Sequence, residues 1–199
     1  MIIRTANTKD STTLAEIHIQ AFRDFFLTEL GLSFLKTYYR SVVCNEVSIA
    51  LCAVENDGEI VGFATGALCS RGYNRRVILG NKWPFFYQTL VLIFTRFNGL
   101  IRIVKNFRKA NNSLDNGEYA ELLSIAVLPK AKGSGVGKLL LEGFVAEVRK
   151  NGGKKVTLTT DYYNNDSVIE FYIRNGFQVF YDFVAYPQRR MFKMIKYLN

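Results

Sequence analysis

The sequence has few of the residues that carry disulfide or nucleophilic chemistry. In 199 residues it contains one histidine, His18, and three cysteines. The cysteines, Cys44, Cys52 and Cys69, lie far apart and form no CxxC pair. An odd number of scattered cysteines excludes a regular disulfide framework, so we expect buried thiols in a reducing compartment. The sequence contains no Cys/His pair of the kind that would form a covalent intermediate.

Segments that target or anchor a protein are also missing. The N-terminal stretch MIIRTANTKD has no basic start, long apolar run or cleavage site, so it does not resemble a signal peptide. The longest apolar-rich run, Trp83 to Phe94, is shorter than the roughly 20 residues that a bilayer-spanning helix needs. We therefore expect a cytoplasmic protein.

Acidic residues are absent from one long segment. Between Arg71 and Leu114 there are nine basic residues and no acidic one, whereas the rest of the chain has 17 of each. The whole net charge of +9 therefore lies in this segment. A confined basic excess indicates a local acidic partner or surface, and it makes nucleic acid an improbable partner because no recognition motif accompanies it.

The residues that are present suffice for a packed domain. Hydrophobic residues make up 49% of the chain and charged residues 22%. We expect a single domain over residues 1–199, with a basic, aromatic-rich insertion at about 71–114. In that insertion, apolar spacing predicts two short helices, at Trp83–Phe97 and Leu100–Phe107.

Periodicity predicts alternating strands and helices along the rest of the chain. A first strand, MIIRTA, precedes two helical stretches, the second bent at Gly31, and a hairpin that turns at Asn56-Asp57-Gly58. After the insertion come a strand ended by Pro129, a glycine-rich loop, a helix, a strand, a helix ended by Gly176 and a final pair of strands. This order predicts an α/β (α+β) fold: a mixed sheet with helices on both faces.

The glycine-rich loop, KGSGVGKLLL (Lys132 to Leu141), is the clearest chemical feature. A strand, a glycine turn and a helix together point backbone N–H groups at an anion. A P-loop is excluded because Lys132 replaces the upstream glycine and Leu139 replaces the magnesium-binding hydroxyl. A dinucleotide fingerprint fails because Lys138 stands where its last glycine belongs. A tight turn without a ligand remains an alternative.

The loop and its neighbours resemble the GCN5-related N-acetyltransferase (GNAT) superfamily. Lys132 to Gly137 resembles the family's acetyl-CoA motif, Arg/Gln-x-x-Gly-x-Gly/Ala, with lysine in the first position. Upstream, ELLSIAVLP is similar to the family's splayed strand. Downstream, Asn165, Tyr172 and Gly176-Phe177 fall in step with a second family element, in which Val168 replaces the common alanine. The resemblance is close over residues 119–180, while residues 1–68 agree in element order.

The resemblance implies a mostly antiparallel central sheet with a splayed pair of parallel strands, and acetyl-CoA as co-substrate without a metal. It implies that backbone N–H groups of the loop hold the pyrophosphate and that the pantetheine arm adds to the edge of the splayed strand. The implied cofactor-binding residues are Ile125, Ala126, Val127, Lys132, Gly133, Ser134, Gly135, Val136, Gly137, Lys138 and Asn165.

The resemblance also implies direct acetyl transfer to a primary amine. Tyr172 occupies the position of the acid that protonates the leaving thiolate, and Glu121 that of the carboxylate base in one branch of the family. Each has an alternative: Tyr172 as a core residue, and Glu121 as a solvated side chain with a water chain as base. Ser124 either faces the thioester or only packs.

The acceptor side is less defined. The resemblance places the first two helices beside the acceptor, so His18, Phe22 and Phe25 are candidate substrate-binding residues, although His18 could equally be a packed, hydrogen-bonded ring. We expect a small-molecule amine, with an amino sugar as the first candidate and other small amines or a protein amine as alternatives. The sequence is compatible with an oligomer but specifies none.

The basic insertion has three interpretations: a lid that binds an anionic acceptor, a surface peripheral to an anionic membrane, or a merely solvated face. The alternative function is a catalytically silent CoA-binding module that docks an acidic partner or membrane through this insertion.

Overall fold

Seven strands form one mixed sheet in the part of the chain that the computed structural model describes, residues 1–23, 25–80, 82–95 and 116–198. The strands are β1 (Ile2–Thr5), β2 (Ser48–Val54), β3 (Ile60–Ala67), β4 (Ala120–Val127), β5 (Lys155–Asp161), β6 (Gln178–Ala185) and β7 (Arg189–Tyr197). The α-helices of these ranges are α1 (Ser11–Ala21), α2 (Phe26–Glu29), α3 (Leu32–Val43), α4 (Tyr73–Gly80), α5 (Lys82–Thr95), α6 (Val136–Lys150) and α7 (Asp166–Arg174).

The strand order is β1-β2-β3-β4-β5-β7-β6, and every neighbouring pair is antiparallel except β4 with β5. Helices α1 and α3 pack on one face, in a core that includes Leu14, Leu35 and Phe63. Helix α6 packs on the other face through residues such as Leu140 and Phe144. The expected mixed, mostly antiparallel sheet with helices on both faces is therefore confirmed.

Most predicted elements occur where the periodicity places them. Gly31, at φ 87°, separates α2 from α3, as the predicted bend requires. In the insertion, α5 corresponds to the predicted helix at Trp83–Phe97, whereas α4 was not predicted, and Leu100–Phe107 lies outside the described residues. The expectation of buried thiols holds for Cys52 but not for Cys69, which is half-buried, and it is wrong for Cys44, which is exposed after the end of α3.

An irregularity in β4 shapes the centre of the sheet. Thr65 of β3 pairs with Ser124, but the next residue, Gly66, pairs with Leu122, so Leu123 is an extra, bulged residue. Because side chains alternate along a strand, one extra residue exchanges the two faces. Before the bulge Leu122 belongs to the α6 core, whereas after it Ile125 and Val127 pack there and Ala126 faces α1 and α3.

The parallel pair β4–β5 opens beyond the bulge. Pairing between them covers only Ala120–Leu122 against Val156–Leu158, while the later residues of β5 pair with β7 alone. Within the described ranges, residues 123–127 of β4 therefore have no ladder partner on the β5 side. This is the splay that the resemblance implies, and it leaves a strand edge at the centre of the sheet.

Candidate active site

The glycine loop presents a row of unpaired backbone donors. Gly133 and Gly135 have φ of 81° and 84°, a left-handed conformation that glycine adopts at little cost. A Cβ added at either position would meet no atom within 4 Å, so these glycines serve the backbone conformation and an open approach to it. None of the six N–H groups from Gly133 to Lys138 donates a hydrogen bond to another described residue.

The start of α6 strengthens this arrangement. The helix begins at Val136 after Gly135, which provides no side-chain cap, and its first turn contains no acidic residue. The positive end of the helix dipole is therefore free for an anion. Ser134 stabilises the turn by donating its hydroxyl to the Ala131 carbonyl at 2.7 Å. Lys132 and Lys138 are exposed on either side.

A cavity of about 380 Å³ joins this loop to the end of α1. Arg23 and Phe25 from the α1–α2 connection line it opposite Pro129 and Lys132. The structure thus brings a residue predicted for the acceptor, Phe25, together with one predicted for the donor, Lys132. Among the lining residues that the structure describes, Arg23 and Lys132 are cationic and none is acidic.

Helix α7 flanks the splay from the α6 side. The side-chain amide of Asn165 donates to Thr160 Oγ1 at 2.6 Å and to the Asp161 carbonyl at 3.1 Å, which ties the start of α7 to the end of β5. Tyr172 is buried against Phe177, and burial raises the pKa of its phenol above the usual value near 10. This phenol is therefore protonated at neutral pH.

Glu121 lies in a buried ion pair. Its carboxylate accepts a hydrogen bond from the Ser70 hydroxyl and pairs with the ammonium of Lys193. The Lys193 side chain is only 7% exposed and the Glu121 side chain 16%, and the Lys193 ammonium also lies 5.0 Å from the centre of the Tyr119 ring. Glu121 is thus not the solvated side chain of the alternative interpretation.

Sequence reasoning missed Lys193 and Ser70 as partners of Glu121. A signal exists for Lys193, which alternates with Met191 and Ile195 on one side of β7, although Arg189, Arg190 and Lys196 also belong to this strand. A lysine among apolar residues on a buried face usually has a counter-charge. Ser70 is in a loop and gives no comparable signal.

Glu121 of β4 and Tyr172 of α7 lie on opposite faces of the sheet. Tyr172 belongs to the α6 core together with Ala120 and Leu122, so alternation directs the intervening Glu121 to the α1–α3 face. Ser124, after the bulge, lies on the same face as Ala126, which packs in the α1–α3 core. Glu121 and Ser124 therefore share the α1–α3 face of the sheet, whereas Tyr172 lies on the other face.

His18 lies within the α1–α3 core. It is 2% exposed, its Nδ1 lies 2.6 Å from the Tyr39 hydroxyl, and burial lowers the pKa of its imidazole to about 4. Burial also raises the pKa of Tyr39, an increase that a hydrogen bond with Ser124 moderates. His18 Nε2 and Thr65 Oγ1 are buried without a partner among the described residues.

The other two candidate acceptor residues lie nearer the surface. The Phe22 ring contacts His18 in a tilted arrangement with ring centres 4.8 Å apart, and the Phe25 ring centre lies 5.0 Å from that of Phe22. The Arg189 guanidinium sits 4.4 Å above the Phe25 ring and also pairs with Asp161 at the end of β5. These contacts connect the α1–α2 connection to the start of β7.

The described ranges contain neither a metal site nor a membrane-spanning helix. No three His, Cys, Asp or Glu side chains group as ligands of a metal ion would. No helix is both long enough and apolar enough to cross a bilayer.

A family model describing the GNAT acetyltransferases matches residues 13–177. The chain belongs to the GNAT acetyltransferase family. It is therefore an enzyme of the acyltransferase class, as the resemblance implied. No curated protein sequence matches this GNAT chain.

Solved GNAT structures share the fold at low sequence identity. The ribosomal-protein-S18-alanine N-acetyltransferase of Escherichia coli is 17% identical with a TM-score of 0.60, and the match covers 100% of this chain and 94% of that one. Naa20 of Chaetomium thermophilum, solved with a bisubstrate analogue, is 19% identical with a TM-score of 0.61 and coverages of 100% and 87%. An aminoglycoside 6'-acetyltransferase of type Ii is 18% identical, with a TM-score of 0.59 and coverages of 99% and 97%.

Proposed function

We propose that the protein transfers an acetyl group from acetyl-CoA to a primary amine by direct attack. The observation that carries this proposal is the row of six unpaired N–H groups from Gly133 to Lys138, next to the splayed edge of β4. The row fits the two adjacent phosphates of a pyrophosphate, and the strand edge fits the amide-containing pantetheine arm. CoA carries both groups in one molecule.

The donor would lie along the α6–α7 side of the splay. The backbone of Gly133 to Lys138 would bind the pyrophosphate, while Lys132 adds positive charge. Ile125, Ala126 and Val127 would offer their free backbone edge to the pantetheine amides. Asn165 would act by holding α7 against β5, because its amide already bonds to Thr160 and Asp161.

The two faces of β4 suit a direct transfer. Acetyl-CoA supplies the acetyl group as a thioester. The amine nitrogen forms a bond to the carbonyl carbon from the α1–α3 face, the carbon–sulfur bond breaks, and the sulfur leaves on the α7 side. Glu121, directly or through a water, takes the proton that the ammonium must lose before it attacks. Tyr172 gives a proton to the leaving thiolate, and the second proton that the nitrogen loses as the amide forms restores the phenol through water. The positions of these two residues on opposite faces support this division of roles.

The protonation of Tyr172 and the contacts of Glu121 support their proposed roles only in part. Burial raises the Tyr172 pKa, which keeps the phenol protonated but makes it a weaker proton donor to the thiolate. Glu121 is paired with Lys193 and bonded to Ser70, which fixes its carboxylate in one orientation. Because Lys193 and Ser70 already occupy the carboxylate, transfer through a water is the preferred route for this site.

A small-molecule amine is the proposed acceptor, with an amino sugar as the first candidate. The cavity between the end of α1 and the glycine loop contains Arg23, Phe25 and Lys132, a combination that suits a ligand with both an apolar surface and an anionic group. His18 would then act from behind this surface, because Phe22 separates it from Phe25.

Thiol release from acetyl-CoA with a panel of amines tests the proposal. We expect turnover with at least one amine and a loss of at least about 100-fold in kcat for Tyr172→Phe, because general acid catalysis is worth 10²–10⁴. The matched control is Tyr197→Phe, an exposed tyrosine at the end of β7. Its turnover should equal that of the unaltered protein.

Binding must be measured separately from turnover. Acetyl-CoA should raise the melting temperature of both tyrosine variants equally, since neither change alters the loop. Stabilisation by acetyl-CoA without turnover of any amine would support the silent CoA-binding module instead. If acetyl-CoA does not raise the melting temperature, both the acetyltransferase and the silent CoA-binding module are excluded.

A further inference from the structure

Helix α5 presents an apolar face to solvent. Trp83, Phe86, Tyr87 and Leu90 follow one another at helical spacing and are 73%, 58%, 64% and 41% exposed. We call these four residues the α5 stripe. Side chains three, four and seven positions apart share one side of a helix, so they form one continuous surface. The Trp83 and Phe86 rings are in edge contact, with centres 6.5 Å apart.

The opposite side of α5 accounts for its packing on the protein. Phe85 and Leu92 are buried, and Phe85 meets Phe34 of α3 with ring centres 6.1 Å apart. Gln88 donates to the Ser33 hydroxyl at 2.9 Å. The helix is therefore held by one side, and the α5 stripe is not needed to attach it.

The charge around the stripe has one sign. Helices α4 and α5 contain Arg75, Arg76 and Lys82, all exposed, and no acidic residue. Neither Arg75 nor Lys82 forms an ion pair with a described residue. The surrounding sequence, from Arg71 to Leu114, continues without an acid.

We propose that the α5 stripe, with Arg75, Arg76 and Lys82, docks the enzyme on an anionic lipid surface. Amphipathic rings such as tryptophan and tyrosine favour the interface between headgroups and acyl chains, while lysine and arginine are attracted to anionic headgroups. Helix α5 packs on α3, which covers the sheet face on which Glu121 lies. Docking therefore turns the α1–α3 face of the sheet, where the acceptor is proposed to bind, towards the lipid. The α6–α7 side, where acetyl-CoA is proposed to bind, faces away.

An anionic membrane fits these observations better than a protein partner. A protein partner would need an acidic surface to match this basic one. The acidic residues of this chain lie elsewhere, in regions of balanced charge. A lipid surface needs no shape complement, and a flat row of four apolar side chains on one helix suits shallow insertion.

Trp83 makes the proposal directly testable, because it is the only tryptophan of the chain. Vesicles of phosphatidylcholine with phosphatidylserine should shift its emission to shorter wavelength and protect it from iodide quenching. Binding should be at least about tenfold tighter than to phosphatidylcholine alone, and high salt should release it. Unchanged emission at low salt, or equal binding to both vesicles, would overturn the proposal.

Two pairs of variants separate the stripe from general surface effects. Phe86→Ser with Leu90→Ser should weaken vesicle binding at least about tenfold. The matched control, Val179→Ser with Val184→Ser, removes two exposed apolar side chains from β6 and should bind as the unaltered protein does. Circular dichroism confirms that both variants fold. Equal binding by both would refute the role of the stripe.

Charge variants and self-association complete the test. Arg75→Gln with Lys82→Gln should reduce binding, whereas the exposed residues Lys9→Gln with Lys154→Gln should not. Protection of Trp83 that grows with protein concentration in the absence of lipid would instead identify an interface between copies of the chain and overturn docking on lipid.

Discussion

The buried pair of Lys193 and Glu121 allows one sharp prediction about stability and catalysis together. Lys193→Met replaces the ammonium by an apolar side chain of similar length at a position where the side chain is 7% exposed. It leaves a largely buried carboxylate with only the Ser70 hydroxyl as a described partner. Removing one member of a buried ion pair costs about 3–5 kcal/mol, so we expect a loss of this size in the free energy of unfolding.

A double-mutant cycle gives the coupling directly. Glu121→Gln alone should cost a similar amount, because it leaves the buried Lys193 ammonium without a counter-charge. The double variant, Glu121→Gln with Lys193→Met, should lie within about 1–2 kcal/mol of the unaltered protein, since no uncompensated charge remains. The coupling energy should therefore be several kcal/mol, measured by urea denaturation.

The exposed pair Glu170–Arg174 of α7 is the matched control. Its side chains are 59% and 76% exposed, so the same cycle with Gln and Met should give about 0.3–0.5 kcal/mol. A cost below about 1 kcal/mol for Lys193→Met would refute the reasoning, because the pair would then behave as a solvated one.

The double variant also isolates the catalytic role of Glu121. It should remain folded without the carboxylate, so any loss of acetyl transfer reports the missing base and not unfolding. Full activity would show that a water alone suffices and would remove Glu121 from the mechanism.

Three further predictions concern the loop, the bulge and the buried histidine. Gly135→Ala and Gly152→Ala each add a methyl group at a similar positive φ, 84° and 75°, with no atom within 4 Å. Both variants should lose about 1 kcal/mol of stability. Only Gly135→Ala should also lose acetyl-CoA binding in calorimetry. Gly66→Ala would place a Cβ 2.1 Å from the Glu121 carbonyl and 2.7 Å from the Phe144 ring. It should therefore lower the free energy of unfolding by at least about 1–3 kcal/mol. Gly80→Ala, where no atom lies within 4 Å, should be neutral in the same urea assay. Burial lowers the His18 pKa from 6.5 to about 4, so the unfolded chain binds the proton first as the pH falls. The free energy of unfolding should therefore drop by about 3 kcal/mol between about pH 6.5 and about pH 4. In an NMR titration the single histidine signal should show no protonation until the lower value, and a midpoint near 6.5 would contradict a buried ring.

The sequence predicted the elements more reliably than the contacts between them. Gly31, Gly58 and Gly176 marked a bend, a turn and a helix end, and each has positive φ in the structure. These signals are local, because a backbone conformation that only glycine tolerates can be inferred from the residue itself. Helix α4 was not predicted, since YNRRVILG carries too few apolar residues to show a period.

What the sequence determined by itself is the row of donors at the glycine loop and the order of strands and helices, together with the family to which they belong. Only the tertiary structure decided which residues meet. Lys193 lies 72 positions from Glu121, and Ser70 lies 51 positions from it. The bulge at Leu123 places Ser124 on the same face of the sheet as Glu121, three residues earlier, and an extra residue in a strand leaves no mark in the alternation of one short sequence. The α5 stripe is equally a tertiary result: an apolar helix is expected to be buried all round, and only the packing of one side on α3 leaves the other side in solvent.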